Sequence, residues 1–133
     1  MGVIVVDAGV IIAVLDGSDP HHAGARAALR SALSTGAALV LPASAYAEVL
    51  VGPFRRDADS ATVVDSLIDA LPAAVQPITR SIARAAAQLR AEHGTRLRLP
   101  DALVVATAID LRADHLLTTD RRWPQVGMSI EAI

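Results

Sequence analysis

The stretch that decides the fold is VIVVDAGVIIAVLDGSDP, residues 3–20. VIVV (3–6) is β-branched and shows no polar alternation, so it reads as a strand covered on both faces. The run stops at Asp7, and AGVIIAVL (8–15) carries on with helical character. DGSDP then breaks the chain: Asp16-Gly17 makes a turn, Asp19 can cap, and Pro20 suits a first helical position. An N-terminus this apolar resembles a signal peptide, but it has no basic leading region and carries Asp7 inside what would be the apolar core. We read it as a buried strand feeding a helix.

The same alternation continues outward. A helix is expected over 20–34, with Ala25, Ala28, Leu29 and Leu33 on one stripe. ALVLP (38–42) reads as a strand and ASAYAEVLVG (43–52) as a helix ended by Gly52-Pro53, with PFRRDADS a polar connection. A further helix over 61–71 carries Val64, Leu67, Ile68 and Leu71, AVQPI (74–78) is a strand, and 79–93 is a helix closed by His93-Gly94. The apolar helix RLPDALVVATAID (98–110), a strand at 115–119, a turn at RRWP and an edge strand at 127–130 complete the chain. Short apolar strands alternating with helices predict an α/β fold with a parallel sheet. No repeat or linker interrupts the pattern, so residues 1–133 form one domain.

Composition excludes several chemistries. There is no cysteine, which removes disulfides, thiolate zinc and thiol nucleophiles and suits a cytoplasmic protein. All 12 basic residues are arginine, so any mechanism that needs a lysine is excluded. The net charge of -2 argues against general polyanion binding. No apolar run is long enough to span a bilayer, so no membrane association is expected. Aromatic residues at 2% are too few for base stacking to dominate recognition of a nucleic acid.

Four acids draw attention. Asp7 and Asp120 each follow a predicted strand directly, which places them at the carboxyl edge of the sheet, where open α/β folds bind ligands. Each also reads as the cap of the segment after it. Asp101 opens a helix so apolar that it must be buried; a cap there contributes about 1 kcal/mol. Glu48 lies among small and apolar residues with no cation at i±3 or i±4, so if buried it needs a metal or a distant arginine. Two carboxylates about 5 Å apart repel by roughly 3 kcal/mol at an effective dielectric of 20. Four in one pocket therefore make sense only around a divalent cation, and oxygen ligands without Cys or paired His favour Mg²⁺ or Mn²⁺ over zinc.

VVDAGVIIAVLD with HH at 21–22, ASAYAEVLVG, LPDALVVATAID and LLTTDRRW occur in this order. Together they resemble the PIN-domain family, and within it the VapC-type toxins of bacterial toxin–antitoxin pairs, over Val5 to Trp123. The resemblance implies a three-layer α/β/α sandwich with a mainly parallel central sheet. It also implies a metal-dependent endoribonuclease whose acidic cluster is Asp7, Glu48, Asp101 and Asp120, leaving a 5′-phosphate and a 3′-hydroxyl. The partners it implies are a VapB-like antitoxin, a structured RNA of the tRNA or rRNA class, and a second copy in a homodimer. Family members often carry Ser or Thr two residues after the first Asp; here Gly9 stands there, and Thr118 or Thr119 is the candidate for a supporting hydroxyl.

Arg55, Arg56, Arg98, Arg121 and Arg122 lie near the acids in sequence and are candidate phosphate contacts, or equally solvated arginines. His21 and His22 diverge around a helix and are poor metal partners. Trp123 and Tyr46 read as packing residues, and Asp110 and Asp114 as solvent-facing. A receiver-type phosphotransfer domain is disfavoured by the missing lysine, and a haloacid-dehalogenase-type phosphatase by Gly9. The alternative that stands is a PIN fold that binds RNA or a partner without cutting.

Overall fold

The computed structural model describes residues 2–133. Five strands form one sheet: β1 (Val3–Val6), β2 (Ala38–Pro42), β3 (Ala73–Gln76), β4 (His115–Thr118) and β5 (Ile130–Ala132). Their order is β3-β2-β1-β4-β5 and every pairing is parallel, with Val5 opposite Val40 on one side and Leu116 on the other. The β-branched run at the N-terminus is thus the central strand, as its lack of alternation requires; Val5 is fully buried.

Six helices connect the strands: α1 (Ala8–Leu15), α2 (His22–Ser34), α3 (Ala43–Arg56), α4 (Ala58–Ala70), α5 (Arg80–His93) and α6 (Leu99–Asp110). The crossovers β1→β2 and β2→β3 run one way across the sheet, and β3→β4, which carries α5 and α6, returns the other way. Right-handed crossovers then cover both faces, giving the α/β/α sandwich. α6 is deeply enclosed along its middle, with Ala102, Val104, Val105, Ala106 and Ala108 all buried in the core. α5 closes at Gly94, whose positive φ of 58° suits a residue without a Cβ.

Five expected boundaries move. α3 does not stop at Gly52-Pro53; it runs through Pro53 to Arg56. Asp57 then ends α3 in an extended conformation and caps α4 by accepting from the Ser60 N–H at 2.7 Å, so α4 starts three residues earlier than its apolar stripe suggests. β5 pairs at 130–132 rather than 127–130, and β3 starts at Ala73 and stops before Pro77, which has no N–H to give. α2 begins at His22, leaving Pro20 in the preceding turn, where the Asp19 carboxylate accepts from the His21 N–H.

Strand order reverses between β1 and β4, since the chain leaves β1 toward β2 but returns on the far side as β4. Such a switch point opens a crevice at the carboxyl ends of the two strands. Asp7 follows β1 there, and Thr118 ends β4.

Candidate active site

The switch point is built around Asp7, which is 8% exposed. It caps α1: Oδ1 accepts from the Ala8 N–H at 2.8 Å. Oδ2 accepts from Thr118 Oγ1 at 2.9 Å, and the same hydroxyl oxygen accepts from the Asp120 N–H at 3.1 Å. One fully buried hydroxyl therefore ties the first acid to the last across neighbouring strands. The cap and the acidic site coincide at this residue. Burial lifts the Asp7 pKa from 3.8 to about 6; the Thr118 and Ala8 bonds oppose the rise, and the charges of Asp101 and Glu48 add to it.

Asp101 is half-buried in the first turn of α6. It is not the cap: Arg98 holds that position and its side chain bonds nothing there. The Asp101 pKa is raised by burial and by the charge of Asp120, against Trp123, Arg122 and Arg98. Burial works to raise Asp120 as well, but its bonds with Arg122 outweigh it and the pKa falls. The Asp120 carboxylate accepts from the Arg122 backbone N–H at 2.8 Å and pairs with its guanidinium at 3.2 Å.

Glu48 is exposed on α3, so burial does not force a partner on it. It belongs with the others because partial desolvation and then Asp101 raise its pKa. Asp7, Glu48 and Asp101 thus act on one another or through one another, and Asp120 acts on Asp101, although among the described residues no three carboxylate or imidazole groups close around one point. That arrangement suits an ion that retains part of its water shell, as Mg²⁺ does when only one or two carboxylates bind it directly. Among the described residues, two buried side-chain polar atoms lack hydrogen-bond partners, Ser44 Oγ and Trp123 Nε1. Ser44 lies one helical turn before Glu48 at the head of α3, and Trp123 follows Asp120. The carboxylates are hard, anionic oxygen donors, so the residues fit a divalent cation.

Of the two candidate threonines, Thr118 bonds Asp7. Thr119 Oγ1 occupies the space a Cβ on residue 9 would need, so Gly9 is required by the close approach of α1 to the end of β4. Arg98 and Arg122 stand beside Asp101 and Asp120, and Arg121 is exposed on the same loop. Arg56 lines a groove with Glu48 and Asp16, whereas Arg55 turns to the opposite side of α3 beside Phe54. His21 and His22 are half-buried ties: His22 Nδ1 lies 2.8 Å from the Ala13 carbonyl and His21 Nδ1 3.0 Å from that of Ile133. Asp114 is exposed, as expected, and also accepts from the Val3 N–H at 3.0 Å. Sequence reasoning treated Trp123 as packing and passed over Ser44; nothing in a single Ser or Trp codon marks an orphaned polar atom.

No helix among the described residues is long and apolar enough to cross a membrane. No curated protein matches the chain. Among solved structures, VapBC2 from Rickettsia felis bound to a DNA fragment from their promoter superimposes with a TM-score of 0.76 at 13% identity, covering 98% of each chain. FitAcB from Neisseria gonorrhoeae gives 0.73 at 21% identity over 96% of this chain and 95% of the other. VapC20 from Mycobacterium tuberculosis, a sarcin-ricin loop cleaving toxin, gives 0.68 at 16% identity over 85% and 86%. These likenesses establish the fold as that of VapC structures. A family model for the PIN domain matches residues 4–128, and the chain belongs to that family.

Proposed function

We propose that the chain is a metal-dependent endoribonuclease and the toxin of a toxin–antitoxin pair. What supports this reading is the mutual repulsion of Asp7 with Asp101 and Glu48, and of Asp101 with Asp120, from separate elements around the sheet's switch point. Mutual repulsion of this kind costs stability and serves nothing in an apo fold. Asp7 and Asp101 would hold Mg²⁺ or Mn²⁺, with Glu48 and Asp120 completing the set directly or through water. When bound, the ion supplies Lewis acidity to the phosphoryl oxygen and to the attacking water.

The chain's own groups do the positioning. Thr118 donates to Asp7 Oδ2 and so fixes the plane of that carboxylate. Asp120, held by the Thr118 and Arg122 bonds, orients the attacking water by accepting its proton in a hydrogen bond. Arg98, Arg121 and Arg122 meet backbone phosphates flanking the scissile bond, with Arg56 and Arg55 farther along α3. With one tryptophan, one tyrosine and one phenylalanine in the chain, recognition leans on shape and backbone, which favours a structured RNA such as a tRNA or rRNA element.

A groove of about 580 Å³ between α1, α3 and α4 supports the antitoxin part of the reading. Ile12, Leu15 and Val63 are exposed along it, and Glu48, Asp16 and Arg56 also line it. An amphipathic antitoxin segment would lay apolar side chains on that floor and bring a basic residue to Glu48. Several of the similar structures are toxin–antitoxin complexes, from Rickettsia felis, Haemophilus influenzae and Salmonella typhimurium among others. On the other side of α3, Val51 and the 62%-exposed Phe54 offer an apolar strip for a homodimer contact.

The test is cleavage of total RNA by the purified protein, freed of antitoxin, with Mg²⁺ or Mn²⁺ and with EDTA, alongside Asp7→Asn. Discrete fragments that vanish with EDTA and with the variant are expected. No cleavage above the variant's background, across both metals and a broad RNA panel, would replace this reading by the non-cutting binding module.

A further inference from the structure

Residues 119–129, which carry the chain from β4 to β5, form the longest described stretch without helix or strand. The two strands pair in parallel, and parallel neighbours are usually joined through a helix that satisfies its own backbone. Here no backbone hydrogen bond ties residues 123–128 among the described residues, and Gly127 turns the chain at a φ of 76°. Irregular connections of this length commonly carry function.

The loop borders a cavity of about 590 Å³, a size that suits a small ring system. Its start is fixed: the Asp120 N–H donates to the Thr118 hydroxyl and the Arg122 N–H to the Asp120 carboxylate, closing a turn directly before Trp123. The walls then divide by chemistry. Trp123, Val126 and Met128 are apolar and buried or half-buried, whereas Gln125 and Ser129 are polar and exposed. The amide and the hydroxyl together offer both donors and acceptors. Asp120 and Arg121 also line a smaller cavity of about 400 Å³ with His21 and Arg122, so the two cavities meet beside the acidic site. In the larger one the charges of Asp120 and Arg121 offset each other, which suits an uncharged planar group better than a phosphate.

We infer that this cavity is the subsite for one nucleobase, that of a nucleotide next to the scissile phosphate, with Gln125 and Ser129 reading its edge. The inference rests on the nuclease reading above and adds sequence choice to it. An RNA backbone drawn to Arg121 and the acids carries its bases past the mouth of the cavity. The apolar side covers a ring face, and the polar side bonds the edge that pairing would otherwise occupy. A base already unstacked in a loop or bulge loses least by entering, so the cavity favours cutting at such places in a structured RNA. One subsite of this kind needs no run of aromatic residues, in keeping with a chain that holds a single tryptophan.

Because Trp123 is the only tryptophan and lines the cavity, its fluorescence reports occupancy directly. The full chain carrying Asp7→Asn, which binds without cutting, is titrated with short single-stranded oligoribonucleotides of A, C, G or U. A ribose-phosphate chain of equal length without bases is the control, its binding followed by the anisotropy of an end label. One base is expected to change the Trp123 emission at several-fold lower concentration than the others, while the abasic chain binds and leaves the emission unchanged. Gln125→Ala should weaken binding of the preferred base about 10-fold and leave the abasic chain unaffected. In cleavage of total RNA, the mapped ends should share a base next to the cut, and Gln125→Ala should cut at a wider set of sites. Emission that responds equally to the abasic chain overturns the inference, as does a base preference unchanged in both Gln125→Ala and Ser129→Ala. RNA that binds and is cut with no change in emission removes the base subsite alone. Failure to bind or cut any RNA removes the nuclease reading and the subsite with it.

Discussion

Asp7 serves two incompatible ends, and the conflict can be measured. As a cap it stabilises α1; as a buried carboxylate beside two others it has a pKa of about 6 against 3.8 unperturbed. A folded pKa above the unfolded one means the native state binds the proton more tightly. Stability therefore falls as pH rises from about 4 through 6, and the loss is complete above that range. Two pKa units correspond to about 3 kcal/mol, which the loss of one acceptor in Asn would reduce to about 1–2 kcal/mol. Asp7→Asn is thus expected to abolish cleavage yet raise the melting temperature of metal-free protein at pH 7.5, with the gain shrinking toward pH 4.5; thermal scans at both values check it. The same shift makes cleavage at limiting Mg²⁺ fall as pH drops through about 6, because the proton and the cation compete for Asp7. A rate indifferent to pH between 5 and 7.5 would remove Asp7 from the ligand set. How legible these residues were varied with their burial. Asp7 and Asp120 could be placed from sequence because strand ends define the sheet's edge. Glu48 could not be placed by burial, since its helix leaves it exposed, and the place of Trp123 depends on a turn visible only in three dimensions.

Among the elements, β1 and α6 declared themselves because an unbroken apolar run has few ways to be buried. α3 was misread at Pro53, since proline ordinarily breaks a helix interior by removing one hydrogen bond and crowding the preceding turn. Here Arg55 and Arg56 in the last turn favour the C-terminal end of the helix dipole, and the Asp57 N–H bonds the Pro53 carbonyl at 3.1 Å, so the helix survives the defect. Pro53→Ala restores the missing N–H and is expected to raise stability by about 1 kcal/mol, read from the denaturant midpoint. The joint between α1 and β4 is less forgiving. A Cβ at residue 9 collides with Thr119 Oγ1, so Gly9→Ala should cost about 1–3 kcal/mol. Thr119→Ala removes the colliding atom, so the double variant should recover most of that loss. Strictly additive effects in the double-mutant cycle would show that the two elements do not touch as described.

At the scale of the molecule, the four acids come from the β1–α1 junction, α3, α6 and the loop after β4, and only the 3-2-1-4-5 strand order brings them to one edge. That order could not be read from periodicity, because alternating strands and helices are compatible with several permutations of a parallel sheet, and the family resemblance implied only a mainly parallel sheet; the order itself comes from the structure. The consequence is a chain of net charge -2 that carries a concentrated negative field at one crevice, where Arg122 is tied to Asp120. Folding is therefore coupled to whatever neutralises the crevice. A ligand that binds only the native state, at a hundredfold excess over its dissociation constant, stabilises it by about 2.7 kcal/mol, or roughly 10 °C in a domain of this size. Mg²⁺ at pH 7.5 should accordingly raise the melting temperature by several degrees, with NaCl at equal ionic strength giving much less. General screening weakens all charge interactions alike, whereas a bound ion acts at one point. The Mg²⁺ increment should vanish in Asp7→Asn and persist in Arg55→Ala, which lies on the other side of α3. If NaCl reproduces the increment, or Asp7→Asn retains it, the acids form a diffuse negative edge rather than a cation site.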